Sequence, residues 1–332
     1  MKKVLAIALV IIAAVGQTLA QQKPQHTQYV LNNYLTNPAV GGIESYADLR
    51  TSFRSQWVGI EGAPETFYAT LHAPLGNTGS GSPKARKPNR YGFSSKSGYK
   101  KAMPHHGVGA VMQVDKAGLL RASTLNGSYA YHLPISNYFT LSSGISAGVT
   151  QYSVNLAEAN PHDPNDPYLT SGPRVNSTKL DLGLGMWLYT PDFYVGVSGA
   201  QLVKSGSDIQ GDEVNLSLQP HFYTTAGLRF QPSEDLALIP SVMVKTTTTS
   251  APAIDVNLRA LYGQQIWLGA SYRHTDAWAA MAGVNLNYLL DLSYAYEMAT
   301  SNMKQATVGT HEVVLGIKLN NRRKVICPQF MW

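Results

Sequence analysis

The sequence predicts an all-β fold: a transmembrane, antiparallel outer-membrane β-barrel of about fourteen strands with a short N-terminal periplasmic segment. Three observations predict it: alternation of apolar and polar residues in segment after segment, an even number of such segments, and connections that alternate between short turns and longer loops. In 178–188, Leu180, Leu182, Leu184, Met186 and Leu188 share one face, while Lys179, Asp181, Gly183, Gly185 and Trp187 share the other. A strand divided in this way has one side against an apolar medium and one against a polar one. A water-soluble sandwich also alternates, but its outer face is richer in Lys and Glu than these strands are.

The chain begins with Met1-Lys2-Lys3, the apolar run VLAIALVIIAAVG and the small-residue stretch QTLA, so residues 1–20 read as a secretory signal peptide. The apolar run is shorter than the roughly 20 residues a helical span needs. Residues 21–45 follow as a plug or capping segment for the periplasmic mouth, a non-strand stretch expected to end at Asn37-Pro38 because proline disfavours a helical residue before it. Tyr29, Leu31, Tyr34 and Leu35 are its expected anchors, with Asn32, Asn33 and Asn37 bonding to lumen groups.

Residues 46–319 form the barrel, with strands near 46–57, 64–75, 106–115, 120–132, 138–151, 176–190, 193–203, 219–231, 235–248, 253–263, 265–275, 278–287, 289–299 and 310–319. Closure is required because an open strand edge in hydrocarbon leaves polar groups unpaired at several kcal/mol each. With a periplasmic N-terminus, the short turns near 134–137, 191–192, 232–234, 263–264 and 287–288 share the periplasmic side, and the loops 153–175, 204–218 and 300–309 lie outside. The insertion 76–105 breaks this rule, being the longest connection and periplasmic. Trp57, Tyr91, Tyr138, Phe139, Tyr189, Phe193, Phe222, Phe230, Tyr262, Trp278 and Tyr288 fall near strand ends, where they would form interfacial girdles. Inward positions carry both signs: Asp48, Arg50, Arg54, His72, Asp115, Lys179, Asp181, Arg229, Lys245, Asp255, Arg259, Arg273, Asp291, Glu297, Glu312 and Lys318. A periplasmic tail, 320–332, completes the chain, with Cys327, the only cysteine, expected as a partly shielded free thiol.

The net charge of +6 is local. Lys84, Arg86, Lys87, Arg90, Lys96, Lys100 and Lys101 lie between Asn77 and Pro104 with no acid among them, and the rest of the chain is close to neutral. Nucleic acid is therefore not the expected partner. These seven residues are instead the candidate contact for an acidic periplasmic partner or a cell-wall polymer.

No catalytic, cofactor or metal constellation emerges, and neither an enzyme activity nor a small-molecule substrate is expected. His105 and His106 read as an ordinary loop pair, and HDPNDPY (His162 to Tyr168) lacks the acid spacing and closing glutamate of a calcium loop. There is no GxSxG, phosphate-binding loop or zinc pattern.

In order along the chain, QYVLNNYLTNPAVGG, FRSQWVGIEGAP, YAYHLPISNYFTLSSGISAGVTQY, YVGVSGAQL, WLGASYR, SYAYE and GTHEVVLGIKL resemble the PorP/SprF family of type IX secretion system outer-membrane proteins. The resemblance covers essentially the whole mature chain. It implies an outer-membrane barrel that supports export or surface attachment of secreted proteins and, in some members, gliding motility. Its implied partners are outer-membrane lipid and other type IX secretion proteins or a secreted adhesin-like protein, bound through the latter's C-terminal domain. The other reading of such a barrel is a general diffusion porin or surface-display scaffold.

Overall fold

The structure, a computed structural model, describes residues 23–76, 103–155, 174–203, 208–210, 219–248, 250–300, 305–322 and 324–328. The alternating segments become β1 (Ala47–Val58), β2 (Glu65–Leu75), β3 (His105–Ala117), β4 (Leu120–Pro134), β5 (Thr140–Asn155), β6 (Arg174–Tyr189) and β7 (Phe193–Ala200). A three-residue strand, β8 (Asp208–Gln210), pairs only with β6. The wall continues with β9 (His221–Leu228), β10 (Leu236–Thr247), β11 (Ala253–Tyr262), β12 (Ile266–Arg273), β13 (Ala277–Asn285), β14 (Leu290–Ala299) and β15 (Gly309–Leu319). Every wall strand pairs antiparallel with both neighbours, β15 with β1 and β5 with β6 included, so the fourteen strands close into a barrel.

The two faces of the wall follow the side-chain period of two. Outward positions are apolar and exposed, as at Leu268 and Tyr262, each 64% accessible, and Leu125 at 59%. Inward positions are polar and closed off: Arg54, Asp255 and Lys318 are fully buried. The outward aromatics form two belts, with Phe139, Phe193 and Tyr262 toward the end that carries the short turns, and Phe222, Tyr272 and Trp278 toward the other, the loop end.

Four expectations need correction. Tyr189 is not a rim aromatic: it shares the inward parity of Lys179, Asp181 and Trp187 and is 3% exposed, with its hydroxyl 3.1 Å from His132 Nδ1. His105 and His106 are not a loop pair: they open β3, one buried and the other exposed, as neighbours on a strand must be. Asn37-Pro38 does not end the leader: Pro38 begins a new 3₁₀ turn, where its fixed φ suits the first position, and Asn37 Oδ1 accepts from the Ala39 amide at 3.0 Å. Strands β7 and β9 are also shorter than the 193–203 and 219–231 expected, because the pairing between them starts at Ala200 and His221.

Candidate functional site

The candidate site is the lumen and the chain segment inside it. From Lys23 to Glu44 the backbone forms three single 3₁₀ turns, Tyr29–Leu31, Asn33–Leu35 and Pro38–Val40. Too short for a helix, these turns leave many backbone groups unpaired, and a barrel interior rich in side-chain donors and acceptors supplies partners for them. The segment runs the length of the lumen instead of covering one mouth. The Lys23 amide lies 3.3 Å from His221 Nε2 at the loop end, and Gly41 O lies 2.8 Å from His132 Nε2 at the short-turn end.

Charge holds the first half. Glu312 accepts the Thr27 amide at 2.7 Å and the Gln28 amide at 3.2 Å, and Gln28 Nε2 donates to the Glu312 carbonyl at 3.0 Å. The Thr27 hydroxyl donates to Glu297 at 2.6 Å and accepts from Arg54. Arg54 pairs with Glu297 at 3.1 Å and with Glu312 at 3.2 Å, and a second guanidinium, Arg273, joins Glu297 to Asp255 and Asp276. Lys245 closes the group on Asp255 at 2.6 Å. His26 packs edge-on against Tyr68 at 4.9 Å, and burial followed by the positive Arg54 holds its imidazole down at about 3.

Shape holds the second half. Gly107, Gly144 and Gly185 face inward where this half meets the wall, and a β-carbon on any of them would overlap Gly41, Ala39 or Asn37 respectively. Asn37 Nδ2 donates to the carbonyls of Met186 and Val197, the Ser142 hydroxyl to Ala39 O and the Ser198 hydroxyl to Thr36 O. Three histidines from adjacent strands grip the turn at Gly41 and Gly42. His72 Nδ1 accepts the Gly42 amide at 3.2 Å, His105 Nε2 donates to Gly42 O at 3.1 Å, and His132 Nε2 donates to Gly41 O. With Nε2 committed as the donor, His132 accepts a hydrogen bond from the Tyr189 hydroxyl at Nδ1.

Of the four expected anchors, Tyr29, Leu31 and Tyr34 are buried at 4%, 7% and 2% exposure. The Tyr29 hydroxyl accepts from Asn257 at 2.6 Å, and that of Tyr34 bonds Ser128 at 2.6 Å. Leu35 is only partly buried and borders a lumen cavity together with Asn126 and Asp181. Asn32 Nδ2 donates to Thr70 at 2.8 Å. The sequence alone assigns the inward residues Arg54, Glu297, Glu312, His72 and Arg259 to the lumen but gives none of them a partner, reads His105 as a loop residue, and does not single out Thr27, Gln28 or His132. The inward parity of the two histidines was the available signal. Lys84, Arg86, Lys87, Arg90, Lys96, Lys100 and Lys101, together with the HDPNDPY loop and residues 1–20, lie outside the described residues.

Among solved structures, the toluene transporter TbuX of Ralstonia pickettii is 10% identical with a TM-score of 0.49, over 89% of this chain and 94% of that one. A Pseudomonas aeruginosa FadL homologue is 12% identical at 0.47, over 92% and 95%. Omp33 of Acinetobacter baumannii is 10% identical at 0.46, over 84% and 100%. None of the three reaches a TM-score of 0.5. No curated protein matches the chain. A family model described as type IX secretion system membrane protein PorP/SprF matches residues 18–317, so the chain belongs to the PorP/SprF family and is an outer-membrane β-barrel of type IX secretion.

Proposed function

We propose that this barrel serves type IX secretion as a closed docking component, not as a conduit. It supports export or surface attachment of a secreted protein by binding that protein's C-terminal domain or a component of the periplasmic motor, and through this it contributes to gliding motility. The observation that carries the reading is the segment 23–44, bonded to strands all around the lumen by buried polar contacts. A wall of fourteen strands lies between barrels that side chains fill and those that leave an aqueous channel, so a segment in the lumen decides whether it conducts.

The basic run Lys84, Arg86, Lys87, Arg90, Lys96, Lys100 and Lys101 is, in this reading, the tether for an acidic periplasmic partner. Single-channel recording in planar bilayers tests the closed barrel. The intact protein is expected to conduct little, and a variant lacking residues 22–40 several-fold more; an intact protein as conductive as the deletion variant would refute the reading.

A further inference from the structure

At the short-turn mouth the tail folds back into the lumen. Asn321 Nδ2 donates to Tyr288 O at 2.6 Å and to Val325 O at 2.8 Å, the Val325 amide returns a bond to Asn321 Oδ1 at 3.0 Å, and Lys318 donates to Ile326 O. Cys327 and Pro328 are thereby brought against Arg259, Trp267 and Leu31 around a cavity of about 30 Å³, which Arg50 and Asp291, paired with each other, also line.

The charges here do not close. Arg50 pairs with Asp48 at 3.0 Å and Asp291 at 3.3 Å, and Lys318 meets Asp291 at 3.5 Å, so two cations take up both acids. Arg259 is left over. It is 7% exposed, its guanidinium lies 5.4 Å from the Trp267 ring centroid, and among the described residues no carboxylate pairs with it. A buried, unpaired charge is costly, and a guanidinium offers a planar fork of donors that fits a carboxylate. A cavity of this size holds one small polar group.

We propose that this cavity is an anion-binding subsite in which Arg259 receives a single carboxylate, carried either by an acidic segment of a partner protein or by a free monocarboxylate. The cavity lies at the mouth that the loop rule assigns to the periplasm, the side from which exported chains approach. The apolar side of the cavity, Trp267 and Pro328, favours a carboxylate on a short carbon chain over a strongly hydrated anion.

Cys327 is the only cysteine of the chain, so its reactivity reads the cavity directly. The experiment uses the full chain folded in detergent micelles and follows modification of Cys327 by uncharged methyl methanethiosulfonate at constant ionic strength. Sodium acetate is expected to slow the reaction at least threefold, saturably, in the wild type and in Arg322→Gln, and to have no effect in Arg259→Gln. An acidic peptide protecting at tenfold lower concentration per carboxylate than acetate assigns the site to a partner segment, and equal potency assigns it to a free carboxylate. Absence of protection in the wild type, or undiminished protection in Arg259→Gln, overturns the proposal. So does protection that requires removal of residues 329–332, which would make the chain's own tail the occupant. Should Arg259→Gln lose the heat-modifiable band of a folded barrel, Arg259→Lys decides: protection weakened several-fold supports the subsite, and unchanged protection refutes it.

Discussion

The two halves of the lumen segment are held by different physics. Residues 26–32 are fastened by ionised groups, with Glu312 and Glu297 bonding backbone and hydroxyl while two arginines balance them. Residues 37–42 are seated by fit, with glycines in the wall leaving room for the backbone and neutral donors and acceptors satisfying it. The lesson concerns reversibility. A charged fastening responds to protonation and to loss of a single partner, whereas a shaped seat yields only when something larger occupies it.

Replacing Glu312 by alanine is the strongest blow to the charged half. It leaves Arg54 buried beside Glu297 alone and strips the acceptor from two amides, a loss of about 3–5 kcal/mol for a broken buried pair. Hydrogen exchange is expected to show residues 27–32 deprotected while 38–42 stay protected. If both halves open together, the segment is one cooperative unit and the contrast fails.

Next in size is Gly144→Val, whose added carbons overlap Ala39 and Pro38. Overpacking of this kind costs about 1–3 kcal/mol. Limited proteolysis should then cut within 37–42, with the Thr27 to Glu312 contact retained.

The effect of pH on the first half is of similar size. His26 is held neutral, at about 3 against an ordinary 6.5, by burial and by the positive Arg54, Lys245, Lys23 and Arg273. A released His26 binds a proton below 6.5 that the seated one does not, so its contribution is complete above 6.5, falls as pH drops toward 3, and is flat below that. At pH 5 the protection factors of residues 26–30, taken relative to the intrinsic exchange rate at that pH, are expected to be roughly 30-fold lower from this group alone, and His26→Gln should remove that part.

Much of this architecture was legible in the residues. The inward charges Asp48, Arg50, Arg54 and Glu312 and the outward run Leu180 to Leu188 follow from period two, which needs no knowledge of neighbours. Strand ends were less legible where pairing sets them, as at Ala200 and His221. The isolated tyrosine at 189 looked like a rim aromatic because chain position near a turn is common to both faces of the wall.

What the sequence determined alone is a lipid-facing surface, a polar interior and a leader unsuited to either strand or long helix. Only the tertiary structure decided which inward groups meet. Thr27 and Glu312 stand 285 residues apart, and closing β1 on β15 is what brings them within 2.7 Å. The same closure leaves Arg259 without an acid among the described residues, since pairing across a barrel depends on register and strand tilt summed around the whole wall, and no local pattern of residues encodes that sum.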